Sequence, residues 1–142
     1  MSAPAPQTRS VVIEREIAAP AEKIWRALTQ PHLIAEWLMR NDFVPVEGHR
    51  FTLSREPKPD VKVVVDCEVT QVEPNKTLSY TWSAYGLDTV VTFTLTPTAS
   101  GTLLRLEQAG FGPEHGAAYK GSRASWPHFL TALETLLAKL DE

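Results

Sequence analysis

Two helical stripes stand near opposite ends of this chain, and nearly everything between them alternates with a period of two. The first stripe lies in Ala19-Pro20-Ala21-Glu22-Lys23-Ile24-Trp25-Arg26-Ala27-Leu28-Thr29-Gln30-Pro31. Ile24, Trp25 and Leu28 share one helical face. Pro20 falls near the first helical position, where a missing N–H costs little. Gln30-Pro31 breaks that helix, and Leu33, Ile34 and Trp37 form a second short stripe. The far stripe carries Trp126, Phe129, Leu130, Leu133, Leu136, Leu137 and Leu140, spaced by threes and fours as one long amphipathic helix requires. Pro127 opposes a helix interior. The helix is therefore expected to kink or start near Ser125, with residues 114–123 forming a separate turn or preceding segment.

The intervening pattern is that of strands. Val11, Ile13, Arg15 and Ile17 share one face of a first strand, ahead of the short helices. Beyond residue 41, Phe51 and Leu53 alternate with polar neighbours, as do Val61, Val63, Val65, Cys67 and Val69. Leu78, Tyr80 and Trp82 follow a Glu73-Pro74-Asn75-Lys76 turn signal. Val91, Phe93 and Leu95 precede a turn at residues 97–101, and Leu104 and Leu106 continue the alternation up to Gly110-Phe111-Gly112-Pro113. Short connections and one-sided alternation predict an antiparallel meander with one wet face. The expected order is one strand, two short helices, about five strands and a closing helix.

Composition removes several classes of function. A chain of 142 residues fits one domain, expected over 8–142 after an Ala/Pro-rich, disordered lead-in at 1–7. The net charge of −3 and the lack of a Lys/Arg cluster give no footprint for nucleic acid. No run is long and apolar enough for a membrane span, and Met1–Pro6 does not read as a signal peptide, so the expected location is cytoplasmic. Cys67 is the single cysteine, which rules out an intrachain disulfide and reads as a buried, inert thiol. His32, His49, His115 and His128 are scattered without metal-ligand spacing, and no phosphate-cradling loop is present. No metal or cofactor is assigned.

The candidate site is aromatic. By strand parity Tyr80, Trp82 and Phe93 face the helix that carries Trp126 and Phe129, with Tyr119 just upstream. Such a set either fills a core or lines an apolar pocket with a few polar handles. Arg15 and Gln108 share parity with inward apolar residues. Arg15 is placed either to hold a ligand carboxylate or to pair with a nearby Glu. Gln108 is placed to orient a ligand carbonyl or to satisfy backbone near Gly110. Trp25, Trp37 and Leu28 read as core.

At this point the ordered motifs resemble the SRPBCC (START-like, helix-grip) superfamily, and within it the branch named after the activator of heat-shock-protein-90 ATPase. The residues that carry the resemblance are Ala19-Pro20 through Trp25-Arg26-Ala27-Leu28-Thr29 with Trp37, and Pro74 with Leu78-Ser79-Tyr80-Thr81-Trp82. Gly101-Thr102-Leu103-Leu104 running to Gly110-Phe111, and Trp126 with Leu130 and Leu133, complete the set. The resemblance implies an α+β helix-grip fold: a curved antiparallel sheet wrapped around a long C-terminal helix, with two short helices after strand 1. It implies a cavity between sheet and helix. Two positions depart from the family pattern. Ser125 stands where a glycine often precedes the tryptophan of the last helix. Gln108 stands where a histidine is often found, and a glutamine cannot serve as acid or base.

Three functions follow as expectations. The first is binding of a small hydrophobic or amphipathic molecule by Tyr80, Trp82, Phe93, Gln108, Tyr119, Trp126, Phe129 and Arg15. The second is a polyketide cyclase/dehydratase-like enzyme, drawing on Arg15, Tyr80, Gln108, Tyr119 or His128 for proton transfer. The third is a chaperone-associated, ATPase-activator-like interaction domain. A homodimer through a sheet edge or helix surface is a further expected partner arrangement.

Overall fold

Nine residues that alternate faces, Arg9–Ile17, form the first strand β1 of the computed structural model, which describes residues 8–140. The expectation of a disordered segment at 1–7 lies outside the described residues. Helices α1 (Ala21–Thr29) and α2 (Pro31–Trp37) follow, divided where Gln30 takes an extended conformation and Pro31 opens the next turn. Strands β2 (Arg40–Asn41), β3 (Arg50–Lys58), β4 (Val61–Glu73), β5 (Thr77–Ala84), β6 (Leu87–Pro97) and β7 (Thr102–Phe111) come next. A 3-10 turn at Pro113–His115 leads into α3 (Gly116–Lys139).

All seven strands lie in one antiparallel sheet in the order β1-β7-β6-β5-β4-β3-β2. The sheet curves over α3, in the α+β arrangement that the sequence predicts. The two-residue β2 has no signature in the alternation and was not expected. Ile24, Leu28 and Trp37 of the short helices meet Leu130, Leu133 and Leu137 of α3 and the inward strand residues in one core. Trp37 is 3% exposed and donates its indole N–H to the Ala27 carbonyl at 2.8 Å, which answers the polar atom of a buried ring. Both Trp37 and Leu28 are core, as read; Trp25 is only partly buried and packs against that core.

Helix α3 corrects the expectation of a start near Ser125. It begins at Gly116 and runs through Pro127 without interruption. Contacts on both sides of the proline hold it. Upstream, Phe111 meets Tyr119 edge-on at 5.4 Å, and Ser122 and Trp126 both bond to β7. At the proline itself, the Pro127 carbonyl accepts from Arg15 at 3.1 Å and from the Thr131 hydroxyl at 2.9 Å. Tertiary anchoring thus outweighs the local penalty of about 3 kcal/mol.

Candidate functional site

The strands bring one run of aromatic rings together on their inner face. Phe43 meets Phe51 at 5.0 Å, Phe51 meets Tyr80 at 5.1 Å, and Tyr80 meets Phe93 at 6.0 Å. Phe93 then meets Trp126 edge-on at 6.2 Å, and Trp126 touches Trp82 at 5.3 Å and Phe129 at 5.6 Å. Most of this run is solid core. At the end nearer the N-terminal half of α3 the packing opens into a cavity of about 200 Å³.

Met39, Val65, Phe111 and Trp126 form the buried end of that cavity. Val63, Trp82, Ala84 and Leu87 supply the sheet wall, and Ser122, Ser125 and Phe129 the helix wall. Arg55, Tyr85 and Ala118 are the exposed residues of the lining and mark its mouth. Val63, Val65 and Ala84 on the sheet and Ser122 and Ser125 on the helix are small side chains, and they leave room beside Trp82 and Phe129.

Gln108, 3% exposed, is the polar centre of the lining. Its Oε1 accepts from the Trp126 indole N–H at 2.8 Å and from the Ser122 hydroxyl at 2.6 Å. Its Nε2 donates to the Thr89 hydroxyl at 2.9 Å, and that hydroxyl donates in turn to the Trp82 carbonyl at 2.9 Å. An indole nitrogen only donates, so the network fixes which end of the amide faces the helix. A buried amide with these partners ties β7, β6, β5 and α3 together around the cavity.

The mouth has its own local geometry. Tyr85 and Gly86 form the two-residue loop between β5 and β6, with φ of 51° and 80°. Two successive left-handed residues match the twist of a hairpin, a role that Asn-Gly fills best. Tyr85 is 81% exposed, and its hydroxyl donates to the Lys62 carbonyl at 3.2 Å. The Arg55 guanidinium lies 6.0 Å from the Phe129 ring centre.

Of the eight residues singled out in the sequence, the structure gathers Trp82, Gln108, Trp126 and Phe129 around the cavity. Tyr80 and Phe93 sit deeper, 4% and 1% exposed, within the closed part of the core. Burial pushes the Tyr80 hydroxyl well above its ordinary pKa range. Tyr119 lies on the far side, lining a separate groove with Ser10–Ile13, Arg123 and Pro127, where the Arg9 guanidinium rests 4.1 Å from its ring centre. Arg15 is placed elsewhere too. It spans from β1 to α3, bonding Glu134 at 2.8 Å, Thr131 at 3.0 Å and the Pro127 carbonyl. Its fork is therefore engaged in docking the helix.

The sequence reading missed Arg55, Tyr85, Thr89, Ser122 and Ser125. Parity with Phe51 and Leu53 gives Arg55 an inward register, and parity with Val91 and Phe93 does the same for Thr89. Ser122 and Ser125 fall on the face of Trp126 and Phe129 once α3 is extended past Pro127. No Asp, Glu or His lines the cavity among the described residues. No three such side chains, with or without Cys67, converge as metal ligands among them either. Cys67, 4% exposed, has its thiol pushed up to about 12, by burial first and by Asp66 and Asp42 second. None of the helices among the described residues is long and apolar enough to cross a membrane.

Comparison with known proteins agrees with this fold. A protein of Mesorhizobium loti, MLL2253, has a solved structure that superposes with a TM-score of 0.88 at 56% identity, covering 94% of this chain and all of that one. CalU16 from Micromonospora echinospora superposes with a TM-score of 0.76 at 25% identity, over 98% of this chain and 82% of that protein. DynU16, a putative protein in the dynemicin biosynthetic locus, gives 0.80 at 26% identity over 92% of this chain, which spans 47% of that protein. No curated protein matches the sequence. The sequence model described as Activator of Hsp90 ATPase homolog 1-like protein matches residues 18–138, so the chain belongs to that family, within the SRPBCC superfamily whose fold the motifs resemble.

Proposed function

We propose that this chain binds a small hydrophobic or amphipathic organic molecule between its sheet and α3. The observation that carries the reading is the cavity of about 200 Å³ with mainly apolar walls and one buried, hydrogen-bonded amide. That volume exceeds the roughly 150 Å³ that holds a benzene molecule and falls short of the roughly 300–1,000 Å³ of drug-sized sites. A single ring or a short branched chain fills it, with the remainder of the ligand at the open mouth. The likeness to a putative protein of a biosynthetic locus supports the same reading, since small organic molecules are made there.

Catalysis of the cyclase or dehydratase kind finds less support. Proton transfer favours a group that titrates near neutrality, and the lining offers only Arg55, Tyr85, Ser122, Ser125 and Gln108 as polar side chains. The chaperone reading rests on the family description alone.

Native mass spectrometry of the purified chain, followed by denaturing extraction, tests the proposal. A reproducible small molecule released on unfolding is the expected result, and adding it back in hundredfold excess over its Kd should stabilise the fold by about 2.7 kcal/mol. A clean apo mass, together with melting temperatures that no ring-sized ligand shifts, would overturn it.

A further inference from the structure

We propose that the molecule held here is an amphipathic monocarboxylic acid, its ring or short chain inside the cavity and its carboxylate on Arg55. This rests on the ligand-binding reading above and adds the chemistry of the ligand's outer end. Arg55 is the one charged side chain among the lining residues, and it stands at the mouth. The chain as a whole carries a net charge of −3, so a lone cation at this opening runs against the molecule's overall sign.

Arg15, Arg50 and Arg105 each have a carboxylate within 4.0 Å, at Glu134, Glu68 and Glu14. Among the described residues the Arg55 side chain makes no ion pair or hydrogen bond, and its guanidinium lies over the face of Phe129. A guanidinium resting beside a ring leaves its N–H edge open for a bidentate acceptor, and a carboxylate is the group that fits that fork. Phe129 in turn belongs to the cavity wall. The cation and the apolar space are therefore parts of one surface. A phosphate dianion is less well served, since a single guanidinium leaves half of its charge unmatched and no second cation lines the mouth among the described residues.

Matched acid–amide pairs separate the two layers of the argument. Benzoate and benzamide, phenylacetate and phenylacetamide, and hexanoate and hexanamide would be titrated by calorimetry and ligand-observed NMR at low and high salt. The wild-type chain and the variants Arg55→Gln and Arg55→Lys would be compared. In at least one pair the acid is expected to bind wild type about tenfold or more tightly than its amide, with the preference weakening in salt. Arg55→Gln is expected to abolish that preference by weakening the acid far more than its amide, and Arg55→Lys to keep only part of it. Arg55 is exposed on a strand, so melting curves should show both variants folded. Equal binding of acid and amide to wild type, or a preference that survives in Arg55→Gln, would overturn the carboxylate and leave the cavity standing. Phenyl phosphate binding more tightly than every acid would overturn it as well. Binding of no member of any pair would overturn the ligand-binding reading itself.

Discussion

Gln108 serves three side chains through one amide, and its removal takes a partner from each of them. Gln108→Leu keeps most of the volume but leaves the Trp126 N–H, the Ser122 hydroxyl and the Thr89 hydroxyl short of a partner. Urea denaturation should show a loss of about 2–3 kcal/mol, dominated by the buried indole donor. Tyr85 presents the opposite case. A bulky residue in the left-handed region costs about 1–2 kcal/mol, and Tyr85 is mostly exposed at φ 51°. Tyr85→Asn suits the two-residue hairpin and is expected to raise stability by about 1 kcal/mol in thermal melts. The same change should weaken retention of an apolar probe, since Tyr85 forms part of the cavity mouth. A variant that gains stability and binds the probe unchanged would show that the tyrosine is tolerated there and has no part in binding.

Among the elements, α3 is where local and tertiary preferences disagree. Pro127 interrupts the backbone ladder of a helix held from both ends of the sheet. Pro127→Ala restores a donor in the helix interior, while the unfolded chain gains freedom worth about 0.4–1 kcal/mol in the other direction. A net stabilisation of about 1–2 kcal/mol is expected by chemical denaturation. The same conflict explains what the sequence could show of this helix. The leucine stripe from Leu130 to Leu137 was legible because its spacing is local. The stretch from Gly116 to Ser125 was not, because the contacts that keep it helical come from Gln108, Phe111 and Ser10 on distant strands. Strand parity likewise told which rings point inward, and Tyr80, Trp82 and Phe93 all do. Parity carries no information on where along the strand the core stops being filled. The division into closed core and cavity depends on the Val, Ala and Ser residues facing Trp82 and Phe129 across the gap.

For the whole molecule, burial of titratable groups sets an alkaline limit. The Cys67 thiol, raised from 9.0 to about 12, stays protonated in the fold while the unfolded chain gives up its proton near pH 9. A raised pKa on an acid means stability that is complete below the unfolded value and is lost as pH climbs toward the folded one. Above pH 9 this group alone should lower stability steadily as pH rises. Tyr80, also raised by burial, steepens the fall above pH 10. Denaturation midpoints measured across pH 8–10.5 should fall with pH, and Cys67→Ala should flatten the portion below pH 10.

The strand order β1-β7-β6-β5-β4-β3-β2 has a consequence for how the chain is made. Every strand from β2 to β6 pairs with its successor, so that meander can assemble as it leaves the ribosome. The first strand cannot join it, because its one strand neighbour is the last to be synthesised. At translation speeds of about 5–20 residues per second, Val11 and Ile17 wait on the order of ten seconds with their apolar face uncovered. For that interval the nascent protein is a sheet with a sticky, unattached arm.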